Sequence, residues 1–518
     1  MSGLTVTREI GAVVGAIGIV GLMTPIPGAR RLAIRCTGLL LVLMSWCILA
    51  ASLAPASIGH RLHHLIAGPI GIAELAAITI AGVVCAVALL GIGAWGVQRW
   101  PVAWWIALVI ALPVRVPIPV GGTSRNLLLP LYLLIAWGMI AYLWKRVRGA
   151  SSEDDPSSPI DLPISIFLAF TLLSVLWTSD TKDAAIQIVS FYLPFPLLFY
   201  TVIAWWRRIP YAITIGTAVT IGLASAISVL ALVQYATRWI FWNTKLQQAD
   251  VYSQFFRVNG IFYDPNIMGR YLAIAVVAAV AWMWLRPSTR MLMIGTAVIV
   301  LLLGGLMVSF SRSSCLLVIT AMVLLAWRAF GARRTLAVGG IAFVILAGGA
   351  IAGSHNIRGA LTSTHHLSTV SEGRFGLMSG GLHIWKQAPI VGSGVGSFQA
   401  KFTATETASQ IAHKQVSISH NAPITVLAEL GLIGIAIFVW LCVATWRSIA
   451  QASRRAHAAI GWMQWSLLAL IVGIFIHSQL YADLFEDPIL WVIAAAAISL
   501  NLPSVAGTPS LDSSAPES

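Results

Sequence analysis

His420 and Asn421 stand side by side, nine residues ahead of Gly431, with Gly434 three positions further, in SHNAPITVLAELGLIGIAIF. A neutral imidazole can take a proton from a hydroxyl, and an amide beside it can orient that hydroxyl. The pair falls where a long polar segment meets an apolar one, at the mouth of whatever the apolar segments enclose. A titratable group at that depth is expensive and usually has a task. Arginines gather around it: Arg257 and Arg270 in FRVNGIFYDPNIMGRYLAI, Arg312 in SFSRSSCLL, and Arg374 in EGRFGLMSGGLHIWKQAPIVGSGVGSF. Arginine is always charged, and its planar fork matches phosphate oxygens two at a time. The plainer reading of each is a loop residue or an interfacial anchor whose stem lies in the apolar layer. Taken together, a hydroxyl-handling histidine and several phosphate-matching arginines suit a lipid with a diphosphate headgroup. The lipid tail accounts for the membrane setting and the phosphates account for the arginines.

His365, His366, His383, His413 and His420 share the segment 353–421, but their spacing is not that of a helical zinc pair and no cysteine assists them. No metal and no cofactor is expected. The five cysteines all lie in or beside apolar runs without CxxC pairing, which suits packing. GSGVGS at 392–397 follows no strand and opens no βαβ unit, so it is not read as a nucleotide loop. Gly392, Gly394 and Gly396 instead suit a tight turn. It follows a helix opened by Arg374, carrying Gly380, Gly381, His383 and Trp385, and closed by Pro389.

The elements that must hold these residues are set by composition. Of 518 residues, 58% are hydrophobic and 10% charged, and the mean hydropathy is +0.86. Soluble domains average roughly 25% charged. Apolar runs of about 20 residues recur throughout, each long enough to cross a bilayer core of about 30 Å. Backbone polar groups in lipid must be paired within their own segment, so the runs are helices. The fold class is all-α, a polytopic transmembrane protein of about 14–15 helices with a large extracytoplasmic loop. The runs centre on 10–23, 36–53, 70–95, 100–112, 126–143, 162–177, 186–206, 212–236, 267–285, 291–308, 315–327, 335–352, 431–446, 460–480 and 488–501. The first carries no cleavage pattern and is read as a retained helix.

The formal charge of +14 would suggest nucleic acid in a soluble chain. Here the basic residues punctuate helices, so topology explains them and no nucleic acid partner is expected. Seventeen lysines and arginines, from Arg30 to Arg455, fall in one set of alternate loops; six (Arg8, Arg61, Arg115, Arg125, Lys182, Arg312) fall in the other short loops and the N-terminal segment. Positive charge stays in the cytoplasm. That bias puts 237–266 and 353–421 outside, the C-terminus inside and the N-terminus outside.

The organisation expected is a helical N-terminal part at 1–150, a polar cytoplasmic linker at 151–160 and a transmembrane core at 161–352 that includes the outer segment 237–266. A 69-residue outer loop at 353–421 follows, then C-terminal helices at 422–501 and a disordered Ser/Pro-rich tail at 502–518. A loop that long inside a compact protein is usually functional.

Across 161–499 the chain resembles the O-antigen ligase and polymerase superfamily of bacterial envelope proteins. Four blocks in order carry the likeness: RVNGIFYDPNIMGRYLA at 257, SFSRSS at 309, GRFGLMSGGLHIWKQAPIVGSGVGSF at 373, and HN followed after nine residues by GxxG at 420. The first five helices fit the family's variable N-terminal half only loosely. The resemblance implies a metal-independent, multi-pass glycosyltransferase of the bacterial inner membrane. It would move a glycan from undecaprenyl diphosphate to an acceptor sugar hydroxyl, on lipid A-core or on a growing polysaccharide. It implies Arg257, Arg312 and Arg374 as diphosphate or glycan contacts, joined on chemical grounds by Arg270, and His420 as the residue that activates the acceptor, with Asn421, Gly431 and Gly434 in support. The last block favours ligation. Polymerisation of lipid-linked repeat units, for O-antigen or exopolysaccharide, is the alternative. Glycosylation of a protein acceptor is a third reading, and a flippase or transporter a fourth. Against the last, no inverted halves are visible and the charged residues gather at one face.

Overall fold

A computed structural model describes residues 3–23, 31–53, 72–120, 123–148, 158–240, 256–341, 374–405, 419–481 and 484–500, together with Leu246. Within them the chain is a multi-pass membrane protein built from helices. Ten of these are long and apolar enough to cross a membrane, and Pro101–Ala111, Asp161–Trp177 and Pro488–Ser499 are shorter apolar pieces. The linker 151–157, the tail 501–518 and the loop stretches 353–373 and 406–418, with His365, His366 and His413, lie outside the described residues.

The order is α1 (Gly3–Met23), α2 (Arg31–Ser52), α3 (Ile72–Arg99), α4 (Pro101–Ala111), β1 (Val116–Val120), β2 (Thr123–Leu127), α5 (Leu129–Val147), α6 (Asp161–Leu173), α7 (Thr181–Gln187), α8 (Pro194–Trp206) and α9 (Ala212–Thr237). After these come α10 (Pro265–Leu285), α11 (Thr289–Val308), α12 (Arg312–Phe330), α13 (Arg374–Gln387), α14 (Phe398–Thr405), α15 (Ala422–Arg455), α16 (Ala458–His477) and α17 (Pro488–Ser499).

Two elements depart from the sequence expectation. Val116–Val120 and Thr123–Leu127 pair as antiparallel strands with Ile118 opposite Arg125, and α5 starts only at Leu129. Pro117 and Pro119 cannot continue a helix, and their missing donors are tolerated in a two-stranded ribbon. The helix expected from 431 begins instead at Ala422, runs to Arg455, and is broken inside by Gly431 at φ 65°, ψ −162°. The helix expected over 335–352 is seen at 332–341; its remainder lies outside the described residues.

Three helices that begin beside the candidate site share one way of starting. Asp264, Asn421 and Asp487 each accept a backbone N–H from the first turn of α10, α15 and α17, and a proline follows within two residues. An Asx cap satisfies an orphan donor, and proline at the start of a helix costs no hydrogen bond. In lipid such closure of the backbone is obligatory.

The two ends of the bundle differ. Arg8 near the start of α1 donates to Thr181 Oγ1 and to the Ser52 carbonyl, and Thr178 Oγ1 donates to the Val395 carbonyl. The beginnings of α1 and α7 therefore share a face with the loop 389–397; this is the loop face. At the opposite end Lys145, Arg146 and Arg208 line one cleft, and the Arg35 guanidinium sits over the Tyr200 ring at 5.6 Å. α1 and α2 cross through glycine: a Cβ on Gly18 would lie 2.7 Å from the Val42 nitrogen, the close approach that small residues permit between helices in lipid.

Candidate active site

Arg257 precedes a tight turn rather than a helix. The turn is clamped by Gln234 of α9, whose side-chain oxygen accepts from Gly260 N at 2.9 Å and whose amide donates to the Gly260 carbonyl at 3.1 Å. Val258 N donates to the last carbonyl of α11, at Val308. So held, the half-buried Arg257 donates through Nε to the Ser309 carbonyl (3.2 Å) and through Nη2 to Asn266 Oδ1 (3.3 Å).

The SFSRSS block turns sharply between α11 and α12. Phe310 takes φ 51°, a left-handed conformation that costs a non-glycine residue about 1–2 kcal/mol. The turn collects hydroxyls. Ser311 Oγ lies 3.2 Å from Ser313 Oγ and 2.8 Å from Ser314 Oγ, and Ser314 donates weakly to the Asn266 carbonyl at 3.5 Å. The Arg312 side chain, on the first residue of α12, is exposed. A guanidinium there adds to the partial positive charge of the helix start, a setting that suits an anion.

Arg270 is placed differently. It is 2% exposed, one turn inside α10, and its Nε lies 2.9 Å from Oδ2 of Asp487, itself 1% exposed. Its Nη1 has no hydrogen-bond partner. Arg374 opens α13, as expected; its side chain lies outside the described residues.

His420 is half-buried at φ 55°, again left-handed, directly before the cap of α15. Asn421 is buried and holds the corner from both sides. Its Oδ1 accepts from Ile424 N at 3.1 Å, and its Nδ2 donates to the carbonyl and to Oε1 of Gln479, at 3.3 and 3.2 Å. Ser419 Oγ donates to the Asn421 carbonyl at 2.8 Å, and Ala422 N donates to the Ser478 carbonyl. His420 is thus presented by a locked corner rather than by a loose loop.

The two groups are joined. The His420 ring lies 6.0 Å from the Tyr481 ring, which lies 5.8 Å from the ring of His477. His477, fully buried at the end of α16, places Nε2 3.1 Å from Ser313 Oγ. A continuous path therefore runs from Arg257 through Asn266, the three serines, His477 and Tyr481 to His420.

Beneath this lies a seam between the glycine turn and the broken helix. Ser393 N and Gly394 N donate to the carbonyls of Ala428 and Glu429, and Leu432 N and Ile433 N donate to those of Pro389 and Ile390. A Cβ on Gly431 would sit 2.4 Å from the Ile390 oxygen, and one on Gly394 2.5 Å from Thr178 Cα. Gly431 therefore opens α15 so that another backbone can enter its hydrogen-bond ladder. Gly434 is buried one turn on, where a Cβ would strike Leu430 Cβ of the same helix. Glu429 Oε1 accepts from Phe398 N at 3.2 Å, so the side chain anchors α14. Gly380 and Gly381 let α13 lie against Phe402 and Ile424, while His383 points to the exterior.

An apolar cavity of about 350 Å³ opens among α6, α8, α15, α16 and α17, with Leu484 and Phe485 in its wall. Those two residues belong to the same connection as Gln479, Tyr481 and Asp487. Sequence analysis assigns no role to this connection, HSQLYADLFEDP. Its density of polar and acidic residues between two apolar runs was the available signal, and Asp487–Pro488 repeats the helix start at Asp264–Pro265.

Residues 297–439 match the family described as O-antigen ligase. The match takes in the serine turn, the glycine turn, His420 and Gly431; Arg257, Arg270, His477 and Asp487 fall outside it. No curated protein matches the chain.

Proposed function

Taking the chain as a member of the O-antigen ligase superfamily, we propose that it transfers a glycan from undecaprenyl diphosphate to an acceptor sugar hydroxyl at the outer face of the bacterial inner membrane. The observation that carries this reading is the path from Arg257 to His420: a guanidinium and an imidazole held by one network, at the face that bears the glycine-turn loop.

The bond between the anomeric carbon and the diphosphate oxygen breaks, and the acceptor oxygen bonds to that carbon. Negative charge grows on the departing diphosphate, where Arg257, Arg312 and Arg374 are proposed to receive it through charge-assisted hydrogen bonds. The acceptor hydroxyl gives its proton to His420, a step worth about 10²–10⁴-fold where base assistance is needed. Arg270, sealed against Asp487, serves from behind by fixing the start of α17. The apolar cavity beside this connection suits a hydrocarbon chain in the bilayer.

Purified protein in vesicles, given labelled undecaprenyl-diphosphate-linked glycan and an acceptor glycolipid, should release free undecaprenyl diphosphate and label the acceptor. A single addition means ligation, and a ladder of additions means polymerisation. Movement of the intact donor across the bilayer without loss of its diphosphate bond would overturn the proposal in favour of a flippase.

A further inference from the structure

We infer that His477 is a positioning residue, which fixes His420 relative to the arginine cluster. The inference rests on the transferase reading above and adds a residue to it. His477 touches both sides of the path. Its Nε2 meets Ser313 Oγ at 3.1 Å, and its ring meets Tyr481 edge-on, with centroids 5.8 Å apart and planes at 70°. Tyr481 in turn leans on the His420 ring at an interplanar angle of 38°.

Burial makes this arrangement specific. His477 is 0% exposed and Ser313 is 1% exposed. A buried ring nitrogen and a buried hydroxyl each need a partner, so the pair fixes the rotation of the imidazole about its own axis. Ser313 is itself constrained by Ser311, the residue before α12, whose hydroxyl meets those of both Ser313 and Ser314. The serine turn therefore sets His477, His477 sets Tyr481, and Tyr481 backs the ring of His420. Arg257 does not depend on His477. It is held directly by the Ser309 carbonyl and Asn266, so the donor's phosphates should bind normally when His477 is altered. A displaced catalytic ring still lowers turnover, because misplacement of about 1 Å can cost on the order of 10²-fold.

The test is a double-mutant cycle with His477→Phe, which keeps a ring and loses the nitrogen, and Ser313→Ala. Each single variant should lower kcat about tenfold and leave the donor KM within about twofold of wild type, while the double variant is no slower than the slower single one, as members of one unit behave. His477→Gln, whose amide can either donate to or accept from the Ser313 hydroxyl, should recover part of the loss. Thermal unfolding of each variant separates misplacement from misfolding. Full kcat in His477→Phe, losses that multiply in the double variant, or a parallel rise of donor KM would overturn the inference. His420→Ala run alongside tells the two ideas apart. If it is inactive while His477→Phe is fully active, only the positioning role fails; if it transfers at the wild-type rate, the transferase site itself has been misread.

Discussion

Arg270 Nε lies 2.9 Å from Asp487 Oδ2, with both side chains almost wholly out of contact with solvent. Asp487 also caps α17 through Oδ1, so one carboxylate both neutralises a buried cation and starts a helix. Asp487→Asn separates the two tasks, since asparagine caps as well as aspartate. It should destabilise the protein by about 3–5 kcal/mol by stranding the guanidinium. Arg270→Met combined with Asp487→Asn should restore most of that, as read by thermal unfolding in detergent micelles. A double variant as unstable as Asp487→Asn alone would show that the pair is not the origin of the loss.

Gly394→Ala should be severely destabilising, on the order of a few kcal/mol. It would need a left-handed alanine at φ 89° with Cβ 2.5 Å from Thr178 Cα. Gly376→Ala, in α13 with nothing within 4 Å, should be neutral or stabilising by up to about 1 kcal/mol. Equal melting temperatures for the two would refute the packed turn.

Arg257→Lys keeps the charge and loses the fork. It should raise the donor KM about tenfold or more, since a charge-assisted hydrogen bond is worth about 1.5–3 kcal/mol. Alanine at Arg257, Arg312 and Arg374 together should abolish transfer in protein that inserts normally. Wild-type turnover in that triple variant would remove the anion site.

The pH dependence of transfer reports on His420. A base must be unprotonated, so the rate should fall as pH drops through the imidazole's titration and level off above it. His420→Gln keeps a hydrogen bond and cannot take a proton, so it should lose both the activity and the acid limb. An unchanged acid limb in that variant would assign the titration to another group.

Cysteine at Thr405 in a cysteine-free background should react with impermeant maleimide on intact cells, and so should cysteine at Gly3. The second expectation comes from the bonds of Arg8 to Ser52 and Thr181, which put the start of α1 on the loop face. Labelling of either position only after lysis would invert the topology.

Much of this was readable from the chain, because membrane helices declare themselves by length and apolarity, and His420–Asn421 stands out against an apolar background. What escaped was what depends on contacts between distant segments. Arg270 looks like any helix-end arginine until Asp487, 217 positions away in sequence (487 − 270), is found against it. His477 reads as the polar end of a helix until Ser313 is found 3.1 Å from it. Gly431 and Gly392–Gly396 looked like two separate glycine motifs. They prove to be the two sides of one seam, because a backbone interlock leaves no complementary side chains for a sequence pattern to show.

That seam bears on how such a protein could accept different sugars. The loop 389–394 is fastened to α15 by four main-chain hydrogen bonds, and main-chain groups do not depend on which side chain a residue carries. On the transferase reading proposed above, the exposed side chains of this loop, Ile390 and Val391, are free to vary and to suit one glycan or another while the chassis that carries His420 stays where it is.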